Sequence, residues 1–141
     1  MSKVNDHKEN ILFICTHNSA RSQMAEGIIN SLFSDKYEAY SAGTQPTKIN
    51  PYTIRVLLEI GIDISKHRAK DISEFKNKNF RYVVTVCDRA RETCPFFPNG
   101  EIFLHSSFLD PSEAKGTDQE RLSVFRSVRD SIREWIQSNF G

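Results

Sequence analysis

No stretch of this sequence approaches the ~18 apolar residues of a membrane-spanning helix, and no repeat, low-complexity tract or interdomain linker interrupts it. The opening residues, Met1 to Asn10, are polar and lack the apolar core of a signal peptide, so a cytoplasmic, reducing setting is expected. Neither sign of charge is in excess. The 19 basic and 18 acidic groups leave +1, so no global field draws nucleic acid or an anionic membrane, and any anion affinity must be local. Cysteine is scarce: Cys15, Cys87 and Cys94 are an odd number without an export signal. That argues against a structural disulfide framework and leaves metal binding, redox chemistry or a reactive thiol. The remainder, with 141 residues, 38% hydrophobic and 26% charged, is ordinary for a soluble globular chain. One domain with one core is expected over residues 10–141, after residues 1–9, whose composition allows flexibility.

Local patterns predict strands alternating with helices. Ile11-Leu12-Phe13-Ile14 is a short continuous apolar run, as in a strand buried on both faces. From Ser22 the period becomes helical, with Met24, Ile28 and Leu32 in one row beside Ala25, Ile29 and Phe33. A short strand from Tyr37 to Ser41 leads into Ala42-Gly43, read as a turn. Asn50 reads as an N-cap with Pro51 first in the helix; Ile54, Leu57 and Leu58 form its apolar face, and Gly61 ends it. Tyr82-Val83-Val84-Thr85-Val86 is a β-branched strand, and Ile102-Phe103-Leu104 is a last one. A C-terminal helix carries Leu122, Phe125, Val128, Ile132 and Ile136. This alternation indicates an α/β fold, a parallel sheet sandwiched by helices.

The chemistry is concentrated in Cys15-Thr16-His17-Asn18-Ser19-Ala20-Arg21-Ser22. This segment joins the end of a buried strand to the start of a helix, the place where open α/β sheets bind ligands. A loop there can aim backbone N–H groups inward as a nest, reinforced by the positive helix end. Arg21 adds a planar fork suited to two oxygens of one oxyanion. The same field favours a thiolate at Cys15, and the hydroxyls of Ser19 and Ser22 can donate to the sulfur or the anion. Cys15 as a plain core cysteine is the alternative. Against it, 10 Arg and 22 Ser plus Thr supply the pattern C-x5-R-[ST] after a given cysteine by chance roughly one time in a hundred.

These residues, the run-on Gln23-Met24-Ala25-Glu26-Gly27 and the segment Ser41-Ala42-Gly43 resemble the low-molecular-weight protein tyrosine phosphatase superfamily. More narrowly, they are similar to its arsenate reductase branch, from Asn10 to about Ile136. The resemblance implies a four-stranded parallel sheet flanked by helices, with Cys15 as nucleophile and Arg21 as oxyanion clamp. Thr16, His17, Asn18, Ser19, Ala20 and Ser22 would complete the anion loop, Asn18 and Ser22 also stabilising the thiolate. Asp110-Pro111 would supply the general acid; taken alone it reads as a turn. Two loop positions depart from the family: His17 stands where glycine is frequent and Ala20 where another cysteine is. His17 would distort the nest if that site needs positive φ. Lys70 falls where some relatives have an acid that helps bind potassium, so that ion is not expected.

Phosphate-ester hydrolysis needs one cysteine, whereas reducing arsenate to arsenite needs two electrons, which two thiols supply on forming a disulfide. After Cys15 attacks arsenic, Cys87, at the end of its own strand, can attack the Cys15 sulfur, and Cys94 can resolve that bond. Helical residues from 87 to 94 would span about 10.5 Å, but a disulfide tolerates Cα atoms at most ~7 Å apart, so any helix there must unwind. The segment Val86 to Pro95 resembles the redox segment of thioredoxin-coupled arsenate reductases. That implies no bound cofactor and electrons from an external thiol, either thioredoxin or glutathione with glutaredoxin. A monomer acting on arsenate or a phosphate-like oxyanion is expected, with no nucleic-acid or membrane partner. Zinc is the other use of cysteine, but Cys87-x6-Cys94 lacks the usual ligand spacing, with His105 the nearest further ligand type. His7, His17 and His67 have no clustered partners. A tyrosine phosphatase is the competing function; relatives of that kind have tyrosines after the Asp-Pro, where this chain has Ser112, Glu113 and Ala114. An anion-binding module without catalysis would require Cys15 to be idle.

Overall fold

The computed structural model describes residues 8–94 and 96–141. Four strands, β1 (Glu9–Cys15), β2 (Tyr37–Gly43), β3 (Phe80–Thr85) and β4 (Gly100–His105), form one sheet in the order β2-β1-β3-β4. Every pairing is parallel, and three helices, α1 (Arg21–Leu32), α2 (Pro51–Leu58) and α3 (Asp118–Phe140), accompany them. β1 lies between two neighbours, which explains its unbroken apolar run: Ile11 to Cys15 are all buried. Alternation then divides β1 between two cores. Ile11, Phe13 and Cys15 join Met24, Ile28, Val56, Leu57, Leu122, Phe125 and Ile132, the helical side. Leu12 and Ile14 join Ala42, Phe80, Val83 and Phe97 on the other face, with Phe75 of the 3-10 turn Ile72–Phe75 packed against them.

Helix boundaries follow their capping chemistry. The Asn50 side chain accepts from the Tyr52 N–H, with Pro51 opening α2 as expected. Thr117 and Glu120 close a reciprocal capping box on α3. α1 has neither a side-chain cap nor an acidic residue in its first turn, so its positive end is left without compensation from its own residues.

Three expectations change. Ala42-Gly43 is no turn: β2 continues through Gly43, which pairs with Cys15 across the sheet. On α2 the buried positions are Thr53, Val56 and Leu57, while Leu58 is exposed, because an eight-residue helix buries a narrow stripe and the apolar row predicted from Ile54 was turned from it. Leu32, at the last residue of α1, has run past the core and is exposed. Glu9 already pairs in β1, while the expectation of flexibility for residues 1–7 lies outside the described residues.

Candidate active site

The β1–β2 connection leaves in one direction and β3 lies on the other side of β1, so the C-terminal edge of β1 and β3 is the switch point where such sheets bind ligands. Cys15 ends β1 there, and the next five residues turn back into α1. The chain around 45–53 holds this loop from outside. Gln45 N–H donates to the Thr16 carbonyl (2.9 Å), Thr47 N–H to that of His17 (3.1 Å) and Asn50 N–H to that of Ser19 (3.1 Å). Thr53 Oγ1 donates a further bond to the Ser19 carbonyl (3.0 Å). In a planar trans peptide the N–H opposes the carbonyl, so the N–H groups of His17, Asn18 and Ala20 face away from the 45–53 segment, the arrangement a nest requires.

The left-handed residue of the loop is Asn18 (φ 53°), not His17, so His17 places no strain on the nest. Its ring nitrogen Nδ1 bonds the Gln45 carbonyl at 3.0 Å. Asn18 is buried and fully engaged. Its Nδ2 donates to Ser22 Oγ (2.7 Å), while Oδ1 accepts from Gln23 Nε2 (2.9 Å) and Lys70 N–H (2.8 Å). The Ser22 hydroxyl, which accepts from Asn18, also shares a hydrogen bond with Cys15 Sγ, 2.8 Å away. Ala20 fills the N-cap position of α1 as a buried residue.

Arg21 is almost entirely buried, and its guanidinium meets three groups. Glu92 accepts from Nη1 and, at 2.9 Å, from Nη2; the Phe108 carbonyl accepts from Nη1 (3.2 Å); Asp110 Oδ2 lies 3.6 Å from Nη2. Burial alone would lower its proton affinity, but the Glu92 bond and the nearby Cys15 and Asp110 outweigh it and raise its pKa further. Asp110 caps a single 3-10 turn, Pro111–Glu113, its Oδ1 accepting from Ser112 N–H and Oγ. It is both a turn residue and a neighbour of the clamp. Thr16, His17, Gln45, Asp88, Glu92 and Asp110 are among the residues lining an open cleft of about 640 Å³ over this loop.

On the adjacent strand, Val86 N–H bonds the Ile14 carbonyl (2.9 Å), which brings the following residue, Cys87, to the same sheet edge as Cys15. Cys15 is a free, buried thiol, and Cys87 is bonded to Cys94 with Cα atoms 6.0 Å apart. Residues 88–92 keep one turn, closed by bonds from the Arg91 and Glu92 N–H groups to the Asp88 carbonyl. The segment is thus shorter than the ~10.5 Å of a continuous helix. His105 bonds Thr85 and Ser107 through its two nitrogens, and among the described residues no group of three or more His, Cys, Asp or Glu side chains forms a metal site. His67 lies beside Glu26 and Gln23; His7 lies outside the described residues. The Lys70 ammonium stands 3.5 Å from Glu26 Oε1, which also accepts from Ser41 Oγ.

The model of the low molecular weight phosphotyrosine protein phosphatase family matches residues 10–138. The chain belongs to that family. Within it, an arsenate reductase of Halalkalibacterium halodurans is 41% identical over 132 residues, 94% of this chain and 95% of the relative. A solved arsenate reductase in its phosphate-binding state superposes with a TM-score of 0.79 at 31% identity, over 92% of this chain and 95% of the other. An arsenate reductase in the oxidized state gives 0.77 at 30% identity, with the same shares. The family fold thus gathers Cys15, Arg21, Cys87, Cys94 and Asp110 at one sheet edge. Sequence reasoning missed Glu92, since neither of the two acids between Cys87 and Cys94 carries a local signal, and the contact by which Gln23, quoted above only as part of a motif, is buried against Asn18.

Proposed function

We propose that this chain reduces arsenate to arsenite through a relay of Cys15, Cys87 and Cys94. The observation that carries it is the Cys87–Cys94 bond beside a free Cys15 at the end of the neighbouring strand. A phosphatase needs only the nucleophile, and the arsenate reductases named above are relatives over most of the chain.

The oxyanion sits in the nest formed by Cys15 to Ser22, two of its oxygens on Arg21. Cys15 Sγ bonds to arsenic, an As–O bond breaks, and Asp110 gives the proton with which that oxygen leaves as water. The Cys87 thiolate then attacks Cys15 Sγ; the S–As bond breaks, its electron pair stays on arsenic, and arsenite departs. Cys94 attacks Cys87 Sγ and Cys15 leaves as a thiolate. Two thiols have given two electrons, and an external dithiol of the thioredoxin type restores them in a reducing compartment such as the cytoplasm. No bound cofactor is required by these steps. No described helix is long and apolar enough to cross a membrane.

The test is NADPH consumption with arsenate, thioredoxin and thioredoxin reductase. Turnover should stop in Cys94→Ser after one arsenite per enzyme. Hydrolysis of aryl phosphates undiminished in Cys87→Ser and Cys94→Ser, without arsenate-dependent NADPH oxidation, would establish a phosphatase instead. Replacing thioredoxin by glutathione and glutaredoxin identifies the donor.

A further inference from the structure

The Glu92 carboxylate occupies a position that a substrate oxyanion would need. Both its oxygens face the Arg21 guanidinium, Thr16 Oγ1 donates to Oε1 at 2.7 Å, and Asp88 N–H donates to Oε2 at 2.9 Å. A planar carboxylate on a guanidinium fork imitates two oxygens of a tetrahedral anion. The positive end of α1, which lacks an acidic residue of its own, is thereby supplied with one from 71 positions away. Bonds from Arg21, Thr16 and Asp88 overcome the cost of burial and hold the Glu92 carboxyl down to about 2, so it remains an anion throughout the physiological range.

Its location is tied to the disulfide. Glu92 stands two residues before Cys94, and the bond to Cys87 draws the ends of that segment to 6.0 Å. Within so short a closed loop, a shift of Cys94 away from Cys87 moves Glu92 with it. We propose that Glu92 is a redox-gated occupant of the oxyanion site: with Cys87–Cys94 closed its carboxylate fills the Arg21 fork and keeps oxyanions out, and opening the disulfide withdraws it. This rests on the reading of Cys15 to Ser22 as the oxyanion loop and of the cysteines as a relay. The device gives the cycle an order. Spent enzyme cannot engage a new oxyanion until an external dithiol has reduced it, and arsenite leaving the site is replaced by an internal anion.

Linkage makes the proposal measurable twice. The first measurement is binding of inorganic phosphate, by calorimetry, to the full chain as the Cys87–Cys94 disulfide and as the reduced protein. The disulfide form should bind at least tenfold more weakly, and Glu92→Ala should bring its affinity to within threefold of the reduced form, with Glu92→Gln falling between. The second uses wild-type protein alone. Saturating phosphate should displace the equilibrium with dithiothreitol toward the reduced protein by the same factor as the affinity ratio, a result independent of how any variant folds. Equal phosphate affinity in both wild-type redox forms, or an unchanged dithiothreitol equilibrium, overturns the gate while leaving the arsenate reading intact. Failure of reduced wild-type protein to bind phosphate at all overturns the oxyanion loop, and the gate with it.

Discussion

Gly43 is the position where the anion loop and the sheet come closest, and adding one methyl group there tests the account of the site. A Cβ on Gly43 would lie 2.5 Å from the Thr16 carbonyl oxygen and 3.0 Å from both the Asn18 nitrogen and the Thr16 carbonyl carbon. All three are backbone atoms, so no side chain can rotate away. Neither partner is free to yield: Gln45 N–H holds the Thr16 carbonyl, Gly43 N–H bonds the Lys70 carbonyl, and Gly43 pairs with Cys15 across β1 and β2. Relief requires the loop to move by roughly 0.5–1 Å, and overpacking of this kind costs about 1–3 kcal/mol. For a chain of this size that lowers Tm by roughly 3–10 °C. The larger effect is functional, because the displaced atoms belong to the nest, and a shift of about 1 Å at a positioned site is worth about 10²-fold. Gly43→Ala should therefore lose phosphate affinity and arsenate turnover out of proportion to its loss of stability. Gly61→Ala is the control: it meets open space, has φ 82° and should cost about 1 kcal/mol from backbone strain alone, with phosphate binding unchanged. Calorimetric phosphate affinity and thermal melts of the two variants decide. If Gly43→Ala bound phosphate within twofold of wild type, the close approach would have no role in shaping the nest.

Arg21→Lys should weaken phosphate binding to the reduced protein by about 10- to 100-fold, since an ammonium replaces a two-pronged, charge-assisted contact by a point charge; titration calorimetry measures it. Asn18→Ala leaves Gln23 Nε2 and the Lys70 N–H without their shared acceptor and forces a left-handed alanine, so urea unfolding should show a loss of about 3–5 kcal/mol. Asn18→Gly should recover about 1 kcal/mol of it, the backbone part. The depressed Glu92 carboxyl stabilises the disulfide form above its ordinary range and loses that effect as pH falls toward about 2. The Tm gap between wild type and Glu92→Gln, measured on disulfide-form protein, should therefore be constant above about pH 5 and close as pH approaches 2.

What could be read from the sequence was set by how locally each feature is determined. The β1 run, the Asn50-Pro51 start of α2 and the apolar row of α3 follow from neighbours within a few residues, and each was legible. The Cys15–Ser22 loop was legible for the same reason, since nucleophile, clamp and nest are contiguous. Ala42-Gly43 was misread because its glycine answers a steric demand from Thr16 across the sheet, not from its own turn. Leu58 was misread because two neighbouring leucines on a short helix leave its phase ambiguous until α3 packs against one of them.

The residues that distinguish a relay from a hydrolase sit at the far end of this scale. Cys87 reaches the sheet edge where Cys15 ends β1 only because β3 pairs with β1 in a register that sets Ile14 opposite Thr85, a fact no spacing of cysteines encodes. Composition suggested surplus thiols, but sheet pairing determines which thiol can reach which sulfur. Glu92 is further removed still, for its contact with Arg21 requires the fold, the register and the closed disulfide together. If that ordering is right, substitutions within Cys15–Ser22 should impair oxyanion binding in either redox form. Substitution of Glu92 should alter only the difference between the two forms, because its contact belongs to one redox state and the loop belongs to both.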